Sequence, residues 1–322
     1  MTRPVQPAEW APHKAVWIGF PSHPELWADD IGPARAEVAA FAEAVHAAGA
    51  GEKVILVAAD AEARRAATKL APFAEVIVEP FGDIWLRDTA PIFVSPHEAR
   101  NFQFNGWGGK YDLPGDDDIG ARLGRSRRVA LRECDWVLEG GAIDGDGTGL
   151  AVTTEQCLLN PNRNPGLSRA VIADHLKRDL GFSDVLWLGE GLLNDHTDGH
   201  VDNLARFVAP GRLAIPEGTD NDPNWRIYQL AAEKAQAFGV EVVRVPSPGR
   251  ILHDEEIVPA SYMNFYIGNA AVVVPLYGSH NDDAAVAAFA ELFPSRQVVG
   301  QRADHILTGG GSFHCISQQI PG

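Results

Sequence analysis

The sequence predicts an α/β fold assembled from repeated strand–helix–strand units. Three observations carry this prediction. Short apolar runs alternate with longer amphipathic stretches along almost the whole chain. The Ala-rich stretch 34–48 is stopped by Gly49. No Ser-, Gly- or Pro-rich linker divides the 322 residues, so 1–322 reads as one domain of repeated units. A doubly wound parallel sheet is the competing arrangement of the same elements.

The elements follow in order. Residues 16–20 form a strand, and the Ala-rich stretch 34–48, stopped at Gly49, forms a helix. A strand at 53–57, a helix at 61–70 and a strand at 76–78 follow. Further on, a helix over 168–180 precedes a strand at 185–188, and a helix over 224–238 precedes a strand at 240–245. Strand 270–276, helix 282–292 and strand 296–299 close the series, giving five helix-bearing units. The stretch 104–111 is too glycine-rich for regular structure and is predicted to be a functional loop carrying Trp107.

Composition excludes several classes of function. Hydrophobic residues make up 45 %, which suits a packed core rather than a disordered chain. A net charge of -16 disfavours nucleic acid and anionic membrane as partners and suits a small cation. Cys134, Cys157 and Cys315 cannot complete a disulfide framework, and the opening decapeptide has no apolar signal-peptide core. The expected location is cytoplasmic.

Chemistry concentrates in a few segments. Gly309-Gly310-Gly311-Ser312-Phe313-His314-Cys315 puts a thiol after a glycine run that lets backbone approach a ligand closely. A lone cysteine is more often a small buried hydrophobe, and that reading is kept for Cys134 and Cys157. The segment 194–203 gathers His196, Asp198, His200 and Asp202, and in an extended conformation these alternate residues share one face. Two functional readings compete there: a divalent-metal site, or an acid/base histidine beside carboxylates that hold a cation. A hydrogen-bonded turn is the bland alternative. Trp85, Asp88 and Glu139 lie in two further segments, with bland readings as core, exposed ion pair and surface turn. Taken together, several carboxylates and one soft nucleophile point to a planar cation, and a guanidinium fits because a carboxylate accepts its N–H donors in pairs.

The residues also carry a resemblance. Residues 7–13 (PAEWAPH), 85–91 (WLRDTAP), 104–110 (FNGWGGK), 138–141 (LEGG), 196–207 and 309–321 run in order from end to end. With them the chain resembles the agmatine deiminases of the bacterial peptidylarginine-deiminase family, within the guanidino-group-modifying superfamily. The resemblance implies a five-bladed α/β propeller (pentein) of pseudo-symmetric ββαβ units, with no metal and no cofactor. It implies that Cys315 attacks the guanidinium carbon, that Asp88 and Asp202 hold its nitrogens, and that His200 serves as acid and base with Glu139 behind it. Trp85, Trp107, Asp198 and Gly311 would complete the substrate site. The implied reaction turns agmatine and water into N-carbamoylputrescine and ammonia; the alternative substrates are peptidyl-arginine, free arginine or another small guanidine. A homo-oligomer is also implied. The chain departs from the family pattern at Ser312-Phe313 and at Phe20-Pro21-Ser22, both flanking the chemistry.

Overall fold

The computed structural model describes residues 4–322; the first three residues of the opening decapeptide lie outside it. Its strands form five sheets that share one connectivity, plus a two-stranded hairpin, Leu252–His253 with Glu256–Ile257. In each of the five sheets a short strand pairs antiparallel with the next, which crosses through a helix to a parallel neighbour. The later two repeat this pattern: Arg206–Ala209, Arg212–Glu217 and Glu241–Pro246 around helix Trp225–Phe238, then Tyr266–Ile267, Ala271–Leu276 and Gln297–Arg302 around helix Asp282–Leu292. One sheet is closed by the chain's two ends. Ser317–Pro321 pairs antiparallel with His13–Gly19, which runs parallel to Lys53–Ala58.

No continuous parallel sheet exists among the described residues, so the doubly wound alternative is set aside. The expected helix at 61–70 is present as Ala61–Leu70, but it leads to Glu75–Val78, a fourth strand peculiar to that sheet. The helix that belongs to the second sheet, Ile119–Ser126, is the one the sequence did not suggest. It is only eight residues long and runs through Gly120 and Gly124. Those glycines are required: a Cβ at 120 would meet the Thr89 carbonyl at 2.5 Å, and one at 124 would meet the Leu131 side chain at 2.6 Å.

Each helix covers its own sheet and leans on the preceding one. Helix Ile31–His46 packs on Lys53–Ala58 and also on Ala271–Leu276, while Asp282–Leu292 reaches Glu241–Pro246. The seams between sheets are therefore apolar, and the fully buried Val38, Phe41, Val45, Val272 and Val274 belong to one such cluster. Each side chain of that size contributes about 1.5–3 kcal/mol when removed from water. The departure at 312–313 is explained here. Phe313 stacks on Phe41 with ring centroids 4.6 Å apart, so it anchors the segment before Cys315 to the first long helix. Ser22 likewise turns inward, donating to the Phe20 carbonyl at 2.7 Å and accepting from the Ala59 N–H at 3.0 Å.

Just before each antiparallel first strand the chain makes a tight polar turn. These are Leu86–Thr89, Gly140–Ala142, Val201–Leu204, Tyr262–Asn264, and the turn ending at Cys315. Each touches the next, and the last returns to the first through the Arg87 N–H bonded to the Cys315 carbonyl at 3.0 Å. Five unrelated stretches of sequence thus bring their turn residues to one place. No described helix is long and apolar enough to cross a membrane.

Candidate active site

Four of the turns deliver the residues singled out in the sequence. Asp88 lies within the first and Glu139 immediately precedes the second. His200 and Asp202 flank the start of the third, and Cys315 ends the fifth. All five are buried, which rules out the surface-turn reading of Glu139 and the exposed-pair reading of Asp88. Arg87 points away from Asp88, to Glu9 and the side chain of Gln319.

The Cys315 thiol lies 3.5 Å from Asp202 Oδ2 and 3.0 Å from the Nδ2 of Asn264. Asn264 comes from the fourth turn and was not foreseen. Its Oδ1 also accepts from the backbone N–H groups of His314 and Cys315, so it fixes the nucleophile's backbone and touches its sulfur. Its only signal in the sequence is position: it stands just before a first strand, as Cys315 does. Burial pushes the Cys315 thiol well above its ordinary range, and the negative charges of Asp202 and Asp88 push it further.

Asp88 accepts from the Trp107 indole N–H at 2.9 Å and from the Gly141 N–H at 2.9 Å. Burial raises its pKa. Burial acts the same way on Asp202, but the imidazole of His314, 2.7 Å away, outweighs it and holds that carboxyl below its ordinary value. Asp202 Oδ1 has no protein partner. The ring of His200 has Nδ1 3.7 Å from Asp88 Oδ1, and neither ring nitrogen is within hydrogen-bond reach of a protein partner. Burial disfavours its charged form, yet Asp88, the Cys157 thiol and Glu139 together hold it well above the usual histidine range. Gly141 makes this closeness feasible: a Cβ there would stand 2.6 Å from His200 Nδ1 and 2.9 Å from Asp88 Oδ1.

Glu139 lies beside His200 and Cys157, with donor atoms of the three within 4.8 Å of one another. Its carboxylate is held by Arg163, whose Nε donates to Oε1 at 2.6 Å, while Oε2 has no partner. Arg163 was not foreseen, nor was the closeness of Cys157 to the histidine.

The segment 194–203 is not extended. Asn194, Asp198 and Gly199 adopt positive φ values of 60°, 63° and 85°, and the chain folds into successive turns. The four side chains expected on one face are dispersed. Asp198 does not line the cavity described below; its carboxylate is taken up by Lys110 and Arg163, each at 2.6 Å, and by Asn162 at 2.9 Å. It therefore ties the Trp107 loop to the arginine that holds Glu139. His196 stands at the cavity wall, its Nδ1 3.0 Å from the Tyr111 hydroxyl.

A cavity of about 230 Å³ opens onto the thiol. Trp85, Asp88, Trp107, Gly311 and Cys315 line it, as expected; Asp202, His200 and Glu139 do not, being fully buried behind the wall, and among the described residues no Lys or Arg lines it. A Cβ on Gly311 would stand 2.7 Å from the Trp85 ring and 3.0 Å from Cys315 Sγ, so glycine is needed for access to the sulfur. Asp83 and Leu26 form another part of the wall. Neither Ser312, Phe313 nor Ser22 contributes to it, so the departures from the family pattern leave its lining intact.

This is the site of an enzyme with a cysteine nucleophile: a thiol beside two carboxylates and a histidine, opening on a cavity without fixed cations. The chain belongs to the Porphyromonas-type peptidyl-arginine deiminase family, which it matches over residues 5–321. It is 37% identical to the agmatine deiminase of Stutzerimonas stutzeri (strain A1501), over 98% of this chain and 95% of that one. Among solved structures, the agmatine deiminase of Enterococcus faecalis superposes with a TM-score of 0.92 at 31% identity, covering 98% of this chain and 95% of its own. A substrate-bound agmatine deiminase of C. jejuni gives 0.88 at 28%, covering 97% and 94%.

Proposed function

We propose that this protein is an agmatine deiminase, converting agmatine and water to N-carbamoylputrescine and ammonia. The observation that carries this reading is a cavity lined by Asp88 and Cys315, with Asp202 buried 3.5 Å behind the thiol and, among the described residues, no Lys or Arg on the wall. Agmatine is a guanidinium with a cationic tail and no carboxylate. Free arginine would bring a carboxylate toward Asp83 with no fixed cation on the wall to receive it. A peptidyl-arginine chain would have to enter a cavity of about 230 Å³ narrowed by Trp85 and Trp107.

The chemistry follows from the charges. In the free enzyme the thiol is protonated and two carboxylates face each other across the site. A guanidinium held between Asp88 and Asp202 supplies the positive charge that makes a thiolate favourable. Sγ bonds to the central carbon, and the thiol proton ends on the departing nitrogen by way of His200, so the C–N bond breaks and ammonia leaves. The S-alkylthiouronium that remains is attacked by water. One water proton returns to sulfur as the C–S bond breaks, the other leaves through His200, and the oxygen becomes the ureido carbonyl. Glu139, with Arg163 behind it, stabilises the charged imidazole.

Five turns meeting in a closed ring support the finer description of the fold as a single five-bladed α/β propeller over 1–322. Three free thiols support a cytoplasmic location, and a net charge of -16 supports a small cation rather than nucleic acid or membrane as partner. Homo-oligomerisation, a reading from the resemblance, is checked by light scattering. The decisive experiment compares kcat/KM for agmatine, arginine and a short arginine peptide, with Cys315→Ala as control. Agmatine should lead by at least about 100-fold, and the variant should be inert. A preference for arginine, or turnover by Cys315→Ala, would refute the reading.

A further inference from the structure

Asp88 is not the only acid on the cavity wall. Asp83 lines it too, and the indole of Trp85 spans the interval between them and the thiol. The indole N–H donates to Asp83 Oδ2 at 2.8 Å, while the opposite, benzo edge of the same ring packs against Gly309 and Gly311 next to Cys315. An aliphatic chain laid along this indole, with its guanidinium at Cys315, therefore carries its other end toward Asp83.

The Asp83 carboxylate is built into place. Oδ1 accepts from its neighbour's N–H (Ile84, 2.8 Å) and from the Trp27 indole at 3.3 Å. The backbone N–H groups of Gly82 and Asp83 are in turn held by Asp116 Oδ1, at 2.7 and 3.2 Å. A carboxylate offers about four acceptor positions, and only three are used, so Oδ2 keeps one free. Among the described residues no Lys, Arg or His lies within ion-pairing distance of Asp83, in contrast to Asp198, whose charge is already matched by Lys110 and Arg163. An anionic group with a free acceptor position and no counter-ion, on the wall of a substrate cavity, lacks a cation.

We infer that Asp83 is the specificity-determining residue that receives the substrate's distal primary ammonium, with Trp85 as the spacer that sets its distance from the reacting carbon. This rests on the reading of the cavity as a guanidine deiminase site and adds what that site selects for beyond the guanidinium. Trp27, Trp85 and Asp116 hold the carboxylate in place. His23 and Asp116 are the titratable groups that face it from neighbouring segments.

The test compares agmatine with n-butylguanidine, which keeps the reacting group and replaces the ammonium by a methyl end. Loss of one charge-assisted hydrogen bond corresponds to about 10- to 100-fold in kcat/KM. The wild-type protein should favour agmatine by about that factor, mainly through KM. In Asp83→Asn the ratio of agmatine to n-butylguanidine should collapse to within about threefold, because agmatine loses far more than its analogue. A wild type without preference, or a variant whose ratio stays at the wild-type value, overturns the inference while leaving the deiminase reading intact. Inertness of the wild-type protein toward both compounds would instead sink that reading. If Asp83→Asn does not fold, the wild-type ratio measured against pH decides. Burial lifts Asp83 to about 6, with the Ile84 N–H, the two indoles and His23 opposing it, so the preference should fade as pH drops through that value. A ratio flat from pH 5 to 8 overturns the inference.

Discussion

His314 Nδ1 stands 2.7 Å from Asp202 Oδ2, and the other nitrogen of the same ring stands 2.9 Å from Glu9 Oε2. The residue beside the nucleophile thus links a site carboxylate to an acid near the start of the chain. Glu9 also meets Arg206 at 3.0 Å and Arg87 at 3.3 Å, and accepts from the Ile267 N–H at 2.8 Å. The conspicuous residues 7–13 therefore act behind the site: Glu9 joins the first and fifth turns and the first strands after the third and fourth. His314→Ala would leave two buried carboxylates short of a partner, at a cost of about 3–5 kcal/mol in stability. It should also lower kcat by about 100-fold, because Asp202 is no longer held. Urea unfolding and steady-state kinetics check the pair of effects; a variant with wild-type kcat would refute the positioning of Asp202 by His314.

Gly141 occupies the narrowest point between the carboxylates and the histidine. An alanine there places a methyl group at 2.6 Å from His200 Nδ1, 2.9 Å from Asp88 Oδ1 and 3.0 Å from Asp202 Oδ2. Those contacts are repulsive, so His200 and Asp88 must move apart. Gly141→Ala should lower kcat by at least about 100-fold, since a displacement on the order of 1 Å has that effect on a positioned group. Circular dichroism and kcat measured together check it, and full activity in a folded variant would contradict the geometry.

Much of this was legible in the chain before its structure. The long helices and their following strands carry strong periodicity and sit within a few residues of the expected places, as Trp225–Phe238 and Asp282–Leu292 do. Cys315, Asp88, Asp202 and His200 stand out because the thiol follows a glycine run, the acids and histidine cluster, and all four lie in the segments that carry the resemblance. What was not legible depends on which segments meet. Ile119–Ser126 is only eight residues long and carries two glycines, which are poor helix formers, and the expected number of five units came out right only because Ala61–Leu70 was counted in its stead. Asn264 carries no charge and no motif; only the ring of turns brings it to the sulfur. Asp198 looked like a ligand because its partners Lys110 and Arg163 are far away in sequence. Local pattern fixed the elements, and long-range contacts decided which acids were left free.

The thiol's state in the free enzyme has a direct chemical consequence. Burial and two nearby carboxylates hold Cys315 well above its ordinary pKa, so little thiolate is present at pH 7. A neutral alkylating reagent such as iodoacetamide should therefore modify it slowly. A haloacetamidine, whose cation takes the place between Asp88 and Asp202, should modify it at least about 10-fold faster at equal concentration. Intact-mass kinetics at pH 7 give both rates, and the adduct should map to Cys315. Equal rates for the two reagents would mean that the carboxylates do not gather a cation at the sulfur.

Asp116 supplies the support for Asp83 and destabilises the protein in doing so. It is 3 % exposed, its Oδ2 has no partner, and burial together with the charge of Asp83 raises it to about 7 against the accepting bonds from Gly82 and Asp83. A carboxyl whose folded pKa lies above its unfolded value binds protons more tightly when folded. Its contribution to stability is then fully present below about pH 4 and is lost as pH rises through about 7. Over that interval the loss amounts to about 4 kcal/mol on the order-of-magnitude scale of 1.4 kcal/mol per pK unit. Asp116→Asn keeps an oxygen to accept from the Gly82 and Asp83 N–H groups and removes the buried charge. It should match the wild type in urea midpoint near pH 4 and exceed it by about 2–4 kcal/mol near pH 8. A variant less stable than the wild type at pH 8 would show that the Asp116 charge is compensated in solution, and the stability argument for this corner of the cavity would fail.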